Sequence, residues 1–438
     1  MAFRKVHYND KETLITAKNM NDIQDAIIDI EKLTSGVVVV NEASGQLIHI
    51  NDATKQGFMS FNVYGKTTQN GTPTHDAPVE LVSAGNGGTL AVNVCCKNLL
   101  KITLATQTSK GITCTVNGDG SVVINGTATD DVFFHLGTVR CFANTKYRLS
   151  GGHSGGTNST CYLYYKYGET ANHYAKDYGN GTEFTPPSDI GNAAIITVVK
   201  GVTVSNLVFY PMITLASVTD AQYEPYKGQT LTVSMPNGLP GIPVTSGGNY
   251  TDANGQQWIC DEIDFARGVY IQRINTISPQ SAVKSYDNFA GTNRVVAVCT
   301  GAINSAGNVV GAVMCDSLPT ISANDQYSTN TSSISNVYGS ISVTIKDVKT
   351  EAAVIQWLMD NPIKIQYALE TPIETPLPEE ELAAYAALHT YRENTTVIND
   401  SGAYMELEYL MDAKKYIDRI VSSAAIAASA GIINATVE

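Results

Sequence analysis

A cluster of tyrosines between residues 162 and 178 is the best candidate for ligand chemistry in this sequence. Its members are Tyr162, Tyr164, Tyr165, Tyr167, Tyr174 and Tyr178. In an extended strand Tyr162 and Tyr164 share one face and Tyr165 and Tyr167 share the other, so we expect one pair to be exposed or to line a groove. An exposed aromatic ring with a hydroxyl can stack on a pyranose ring and hydrogen-bond to its rim. The alternative is that these tyrosines only pack, because tyrosine is common in strands.

Three polar residues lie beside the tyrosines in the sequence. His173, Lys176 and Asp177 fall in the segment that follows the tyrosine-rich strand, which we predict to be a loop. Their side chains are placed to add polar contacts to a sugar held by the rings. Together with the six tyrosines they form the predicted glycan-binding set.

Several acidic residues are candidates for catalysis of glycan hydrolysis. A glycosidase needs two carboxyl groups about 5 to 9.5 Å apart across a cleft. Glu262 and Asp264 would share one face of an extended strand, roughly 7 Å apart, whereas Asp261 would face the other way. Nothing nearby in the sequence marks a cleft, so we interpret these acids as solvated surface groups. A depolymerase that degrades surface glycans stays open as an alternative, with its cleft between subunits.

Other catalytic and metal-binding patterns are weak or missing. Residues 152–156 match the G-x-S-x-G nucleophile elbow, but a predicted strand follows them instead of the helix that this motif requires. Seven histidines are scattered without the H-E-x-x-H spacing of a zinc site. Eight cysteines include no C-x-x-C pair. Because the chain is long and shows no secretory signal, we expect free buried thiols rather than disulfides. We therefore predict a protein that is not an enzyme, with no catalytic residue, metal or cofactor.

Charge and hydropathy narrow the partners and the location. The 438-residue chain has a formal net charge of −13, which disfavours nucleic acid and anionic lipid because both require a basic face. No run approaches the ~18 apolar residues of a membrane helix, and no apolar stretch of a signal peptide follows the N-terminus. We expect a chain made in a cytoplasm, without membrane insertion.

Helices are predicted near both ends of the chain. Residues 14–34 are predicted to form an amphipathic helix with a short heptad repeat. Isoleucine at both core positions of a heptad favours a three-helix coiled coil over a two-helix one. The final helix, from residue 411 onward, continues a similar stripe. The predicted oligomerisation residues are Met20, Ile23, Ile27, Ile30, Ile417, Ile420 and Ala424. Self-association into a homotrimer is favoured, and docking on another protein is the alternative.

The region between the ends is typical of β structure. From residue 36 to about 273, alternating Val, Ile, Thr and Tyr residues are separated by repeated Asn-Gly turns, with a hairpin over 113–126. Residues 276–375 stay β-rich but include a short helix over 350–362. Beyond them we predict a helix, then a hairpin joined at Ser401-Gly402, and then the final helix.

Five stretches resemble tail proteins of phages and prophages from Gram-positive, gut-type bacteria. They are KNMNDIQDAIIDIEKL (18–33), YGKTTQNGTPTHDAPVEL (64–81), the pair KNLL (97–100) and YEPYKGQTLTVSMPNGLPGI (223–242), GGNYTDANGQQWICDEIDFARGVYIQRI (247–274) and IQYALETPIETPLPEEELAAYAALHTYRENTTV (365–397). The resemblance implies a location in the virion tail, with other tail or baseplate proteins as partners. It does not imply a defined activity.

One of these stretches also bears on architecture. Residues 98–226 look like a module inserted between two pieces of one connector domain. The segment VTVSNLVFYPMITLASVTDAQYEPY, residues 202–226, resembles the last strand of carbohydrate-binding jelly rolls in such tails. Binding of host cell-surface polysaccharide is what this resemblance implies.

These observations together predict a mainly β, multidomain chain. Its parts are an N-terminal coiled-coil-like helix (1–35), a β connector (36–97 plus 227–275), an inserted jelly-roll sandwich (98–226), a second β-rich domain with a short helix (276–375) and a C-terminal helix-hairpin-helix region (376–438). The predicted function is that of a tail fibre or baseplate protein that binds a receptor during host-cell attachment. The alternatives are a purely structural scaffold component and the depolymerase.

Overall fold

The computed structural model describes most of the chain between residues 37 and 412. The residues described are 37–43, 46–53, 57–170, 173–281, 284–287, 294–302, 312–321, 331–337, 339–391 and 394–412, with residues 414, 415, 417, 418, 421 and 422. This described part of the chain is mainly β, with 49% strand and two helices of defined length. The predicted β-rich class is therefore confirmed.

The residues predicted to self-associate fall almost wholly outside this part of the chain. Met20, Ile23, Ile27, Ile30, Ile420 and Ala424 are not among the described residues. Ile417 is described and is half-buried. The coiled-coil and the trimer stay predictions.

The strands are numbered in the order in which they occur along the chain. Before the inserted module they are β1 (Val37–Ala43), β2 (Leu47–Asn51), β3 (Ser60–Tyr64), β4 (Thr67–Thr68), β5 (Val82–Ser83) and β6 (Gly88–Cys95). Within the module they are β7 (Gln107–Ser109), β8 (Ile112–Val116), β9 (Val122–Thr127), β10 (Val132–Cys141), β11 (Tyr147–Ser150), β12 (Cys161–Lys166), β13 (Tyr174–Asp177), β14 (Thr182–Phe184), β15 (Ile190–Val198), β16 (Thr203–Phe209) and β17 (Met212–Leu215).

The remaining elements follow the module. The first strands after the module are β18 (Gly228–Met235), β19 (Gly241–Val244), β20 (Tyr250–Thr251), β21 (Gln257–Cys260), β22 (Glu262–Asp264) and β23 (Val269–Ile277). After them come β24 (Lys284–Asp287), β25 (Arg294–Thr300), β26 (Val313–Cys315), β27 (Ser333–Val337), β28 (Ser340–Thr344), helix α1 (Glu351–Asp360), β29 (Ile365–Pro376), helix α2 (Glu379–Ala387), β30 (Asn394–Asn399) and β31 (Tyr404–Asp412). Neither helix combines the length and the apolar character needed to cross a membrane.

Two sheets, built from strands that precede and follow the module in the sequence, pack on one hydrophobic core. The first has the order β18-β6-β30-β2, and the second has the order β1-β31-β3-β22-β23-β29-β26. Val92 and Val397 from the first sheet and Phe61 and Leu407 from the second belong to the same buried cluster. The alternation of apolar and polar residues in these strands places one face of each sheet against this core.

The predicted C-terminal hairpin is wrong, although both of its strands form. β30 pairs with β2 and β6, and β31 pairs with β1 and β3, so the chain crosses from one sheet to the other. Asn399 closes the crossing, since its Oδ1 accepts from Ser401 N at 2.9 Å and its Nδ2 donates to Ala403 O at 3.2 Å. A central place in separate sheets gives each strand backbone partners on both edges, which a two-stranded hairpin would not.

The module has a second hydrophobic core, in which Cys95 of β6 also takes part and on which Leu47 and Ile398 pack. Its sheets have the orders β10-β15-β12-β13, β14-β11-β17 and β16-β9-β8-β7, and all three contribute to one buried cluster. The hairpin predicted over 113–126 is confirmed, because β8 and β9 pair from Ile112↔Gly126 to Val116↔Val122.

The two ends of the module lie together at a paired stem. β6 and β18 pair next to the module, with Cys95 opposite Gly228. Asn98 joins the entering and leaving segments, because its Nδ2 donates to Glu224 O at 2.9 Å and its Oδ1 accepts from Leu100 N at 3.0 Å. The Lys97 ammonium also forms an ion pair with Asp220.

The rest of the described chain forms three further sheets and both described helices. The sheets have the orders β24-β25-β28-β27, β19-β21-β20 and β4-β5. The helix predicted over 350–362 is confirmed as α1, whose Val354 and Leu358 are buried and whose N-cap is Thr350. The seven described cysteine thiols are buried and free, as expected.

Candidate functional site

Strands β12 and β13 separate the predicted tyrosines onto two faces of their sheet. Along β12 the side chains alternate between core and outer face, so that Tyr162 and Tyr164 point outward while Tyr165 points into the core. In the register of the pair, Tyr164 lies opposite Lys176 and Lys166 lies opposite Tyr174. Because directly opposite residues share a face, Tyr174 and Lys176 belong to the outer face as well.

Four tyrosines form a continuous row of rings on this outer face, which we name the tyrosine strip. Its order is Tyr178, Tyr162, Tyr164 and Tyr174. Neighbouring ring centroids are separated by 5.7, 5.8 and 5.6 Å, and the rings are tilted against each other. Tyr174 is 37% exposed and the others are half-buried. Aromatic rings in this arrangement offer an extended stacking surface that remains open to solvent.

Lys176 and Asn158 fix one end of the tyrosine strip. The Lys176 ammonium lies 5.2 Å from the ring centroid of Tyr162, within range of a cation–π contact. Its Nζ donates to Asn158 Oδ1 at 2.8 Å, and the Tyr178 hydroxyl donates to the same oxygen at 2.8 Å. One neutral acceptor therefore holds both the cation and the last ring in place.

A shallow hollow opens over the centre of the tyrosine strip. Its volume is about 240 Å³, and it is lined by Tyr162, Tyr164, Tyr174 and Lys176. Enclosed sites for drug-sized ligands are larger, about 300–1,000 Å³. Burial raises the pKa of Tyr162 and Tyr164 above the ordinary value, so both hydroxyls remain protonated donors at neutral pH. The hollow is suited to one sugar ring that stacks on the tyrosines and receives hydrogen bonds.

Two of the predicted tyrosines lie on the inner face and leave the candidate site. Tyr165 is fully buried, and its hydroxyl donates to Val139 O at 2.8 Å. Tyr167 stacks on Phe184 with a centroid distance of 5.2 Å and packs against the core of the module. The alternation of a strand is the reason, since residues an odd number of positions apart point to opposite faces.

Asp177 and His173 also prove to be structural. Asp177 lies in β13 rather than in a loop, is 1% exposed, and accepts from Gly152 N at 2.6 Å, Gly179 N at 2.8 Å and Gly181 N at 2.7 Å. Its carboxylate thus anchors two loops from inside. The His173 ring lies 5.3 Å from Tyr167, away from the tyrosine strip. Lys176 likewise lies in β13, with its side chain on the outer face.

The sequence prediction missed Phe133 and His135 on the same outer face. Phe133 and Tyr162 are both paired with Thr197 of β15, so they stand on one row two strands apart, roughly 9.5 Å. His135 and Tyr164 are both paired with Ile195 in the next row. Phe133 is 49% exposed. The sequence Val132-Phe133-Phe134-His135 contained this signal. Neighbouring residues of a strand point to opposite faces, so Phe133 and His135 face outward when Phe134 is buried.

The interpretation of Asp261, Glu262 and Asp264 as solvated acids is wrong, because all three are buried. Asp261 Oδ1 accepts from Arg273 N and Ile274 N, both at 2.7 Å, where β23 carries a bulge against β29. The Tyr270 hydroxyl donates to its other oxygen. Burial raises the pKa of Asp261 to about 6. Asp261 thus satisfies the backbone donors of the bulge.

The two neighbouring acids are partnered as well. Glu262 pairs with Arg273 at 2.7 Å and accepts from Asn62 at 2.9 Å. Asp264 accepts from the backbone N–H of Arg267 at 2.9 Å. A cavity of about 550 Å³ lies nearby, and of these three described acids Asp261 lines it. The group does not form a pair of carboxylates across one cleft.

The comparisons with other proteins add no identity to this geometry. Protein-family models, curated proteins and solved structures were each compared with the chain, and none matched. Among the residues that the structure describes, no group of three or more His, Cys, Asp or Glu side chains is placed to hold a metal ion.

Proposed function

We propose that this chain is a bacteriophage tail protein that attaches the particle to polysaccharide on the host surface. The observation that carries the proposal is the tyrosine strip, a row of four aromatic rings on an open sheet face. Tyrosine rings stack on the apolar face of a sugar, while their hydroxyls bond to its rim. Large exposed aromatic patches are uncommon on proteins without a binding partner.

The module is proposed to be a jelly-roll sandwich of the carbohydrate-binding type. Its single core, its three antiparallel sheets and its paired stem support this assignment. The module contacts the surrounding sheets through Arg140 with Asp400 and Ser217 with His49, and through Cys95, Leu47 and Ile398, which pack on its core. The ring contacts and hydrogen bonds of the tyrosine strip lie within the module. The strip therefore stays available to an external ligand.

The proposed mechanism is avidity. A shallow hollow for one sugar ring supports only weak binding by a single site. The predicted trimer, present in several copies on a tail, would turn later contacts into intramolecular events and raise the overall affinity by about 10²–10⁴. The location in the tail and the trimer rest on the sequence resemblance and on the heptad pattern.

The test is binding of fluorescently labelled full-length protein to candidate host cells. A double variant, Tyr162→Ala with Tyr164→Ala, removes the centre of the tyrosine strip. Tyr210→Ala is the matched control, because Tyr210 is 46% exposed in the same module but contacts Tyr223 instead of the strip. We expect saturable binding by the parent and the control, and a loss of at least about tenfold in the double variant.

A second variant guards against misfolding. Tyr174→Ala removes the most exposed ring of the tyrosine strip and is expected to weaken binding without disturbing the core. Circular dichroism spectra identical to those of the parent check the fold of each variant. Unchanged binding by both strip variants would reject the proposed site and favour the purely structural scaffold.

A further inference from the structure

We propose that the saccharide held by the tyrosine strip is anionic and that its carboxylate or phosphate group pairs with Lys176. The inference rests on the proposed function, since it specifies the ligand of the same site. It adds a charge to the ligand chemistry, which stacking on tyrosine alone does not require. The shared feature of the two sources is a charged oxygen group next to a sugar ring or polyol.

The first observation is the position of the Lys176 ammonium. It lines the hollow beside Tyr162, Tyr164 and Tyr174. The side chain is half-buried between the ring of Tyr162 and the amide of Asn158. A ligand that stacks on these rings therefore comes within reach of the cation.

The second observation is the neutral environment of this cation. Three of the five other lysines of the module have acidic partners: Lys110 pairs with Asp130 at 3.0 Å, Lys166 pairs with Glu169 at 3.8 Å, and Lys146 pairs with Glu183. Among the residues that the structure describes, no carboxylate lies within 4.0 Å of Lys176, whose hydrogen-bond acceptor is the neutral Asn158 Oδ1. A half-buried charge gains most from an opposite charge that replaces the lost water.

The third observation is that Lys176 is held in place. Asn158 Oδ1 accepts from both Lys176 and Tyr178 at 2.8 Å, which ties the cation to the end of the tyrosine strip. A group fixed before binding loses less conformational entropy when the ligand arrives. The protonated hydroxyls of Tyr162 and Tyr164 add neutral donors for the same oxygen group.

The overall charge of the chain does not oppose a local anion site. The formal net charge is −13, but charges farther away than about 8 Å are largely screened at physiological ionic strength. Of the residues that line the hollow, Lys176 carries the charge. The Asp131 carboxylate also acts on the Tyr162 hydroxyl, but it is not part of the lining. An anionic sugar is favoured there over its neutral analogue.

The experiment uses polysaccharide purified from the surface of cells that bind the labelled protein. Three samples are compared: the native polymer, the polymer with its carboxyl groups reduced to alcohols, and the polymer with its phosphodiesters removed by hydrofluoric acid. Binding to the full-length parent, to Lys176→Gln and to Lys176→Arg is measured for each sample. Loss of binding after carboxyl reduction would identify a carboxylate, and loss after phosphate removal would identify a phosphodiester.

Three results support the inference. One of the two treatments weakens binding of the parent by about tenfold or more, Lys176→Gln weakens binding of the native polymer similarly, and Lys176→Arg retains most of it. Raising the salt concentration from about 50 mM to about 500 mM should weaken the parent more than Lys176→Gln, because the ion pair is screened.

Two further outcomes separate the inference from the function on which it rests. If carboxyl reduction, phosphate removal and Lys176→Gln each leave binding unchanged, while Tyr162→Ala with Tyr164→Ala still loses binding, the anionic ligand is overturned and the glycan site stands. If the tyrosine variant also binds normally, the site itself is rejected and the inference falls with it.

Discussion

Two aromatic clusters of this molecule contain the same residue types but differ in what surrounds them. The tyrosine strip is one. In the other, Tyr64, Tyr250 and Trp258 of the connector form a buried group with Lys66 and with Tyr404 of β31. We name the second group the aromatic cage. Its stacked rings approach more closely, since Tyr250 lies 4.8 Å from both Tyr64 and Tyr404.

The polar groups of the aromatic cage are satisfied from within the chain. The Tyr64 hydroxyl donates to Glu406 at 2.9 Å, and the Trp258 indole donates to Asp252 at 3.1 Å. The Lys66 ammonium lies over the Tyr404 ring at 4.9 Å and so occupies the cage itself. In the tyrosine strip the rings are tilted and solvent-accessible, and the lysine has a neutral partner. Packing and acidic partners, rather than aromatic content, therefore distinguish the buried cluster from the tyrosine strip, the proposed binding surface.

The largest expected difference between the clusters is in stability. Trp258→Ala should lower the free energy of unfolding by about 3–5 kcal/mol, because it empties a buried site in the aromatic cage. Tyr162→Ala, the matched variant in the tyrosine strip, should cost less than about 1 kcal/mol. Urea unfolding followed by circular dichroism measures both values. Equal losses would mean that the tyrosine strip is a core element, contrary to the account.

The next difference is in pH dependence, which the connector should show through Asp261. Burial raises its folded-state pKa from 3.8 to about 6. Between these values the unfolded chain ionises while the folded chain stays protonated, so stability is present below about pH 4 and is lost as the pH rises to about 6. The loss amounts to at most about 3 kcal/mol.

Asp261→Asn is the control for this pH dependence. Asparagine keeps an acceptor for the backbone donors of Arg273 and Ile274 but does not titrate. Relative to the parent, the variant should therefore gain stability as the pH rises from 4 to 7. Parallel unfolding curves for the two proteins over this range would refute the assignment.

The smallest expected effect separates the ring of a strip tyrosine from its hydroxyl. Tyr164→Phe keeps the stacking surface and removes one donor, so glycan binding should fall by only about fivefold, equivalent to about 1 kcal/mol. Stability should change by less than about 0.5 kcal/mol. A loss as large as that of the Ala variant would assign the binding energy to hydrogen bonds instead of stacking.

Local patterns in the sequence predicted the faces of the strands well. The alternation in Cys161-Tyr162-Leu163-Tyr164-Tyr165 predicted that the tyrosines divide between two faces of the strand, but it did not decide which face is buried. The same alternation around Phe133 marked a further residue of the outer face. These are properties of single strands, and they require no knowledge of the neighbouring strands.

Properties that depend on sheet order were not accessible from the sequence. The turn at Ser401-Gly402 indicates a reversal of the chain, but only the distant partners β1, β2, β3 and β6 decide that β30 and β31 enter different sheets. The burial of Glu262 depends in the same way on Asn62, which β3 brings beside β22. Asp177 was placed in a loop because its strand is short and polar.

The most direct test of the central claim is hydroxyl-radical footprinting of the full-length protein with and without purified host polysaccharide. Mass spectrometry then reports the reactivity of each tyrosine without any substitution. The account predicts protection of Tyr162, Tyr164 and Tyr174, with no change at Tyr210 or in the aromatic cage. Binding of the polysaccharide that leaves the tyrosine strip fully reactive would contradict the proposed site.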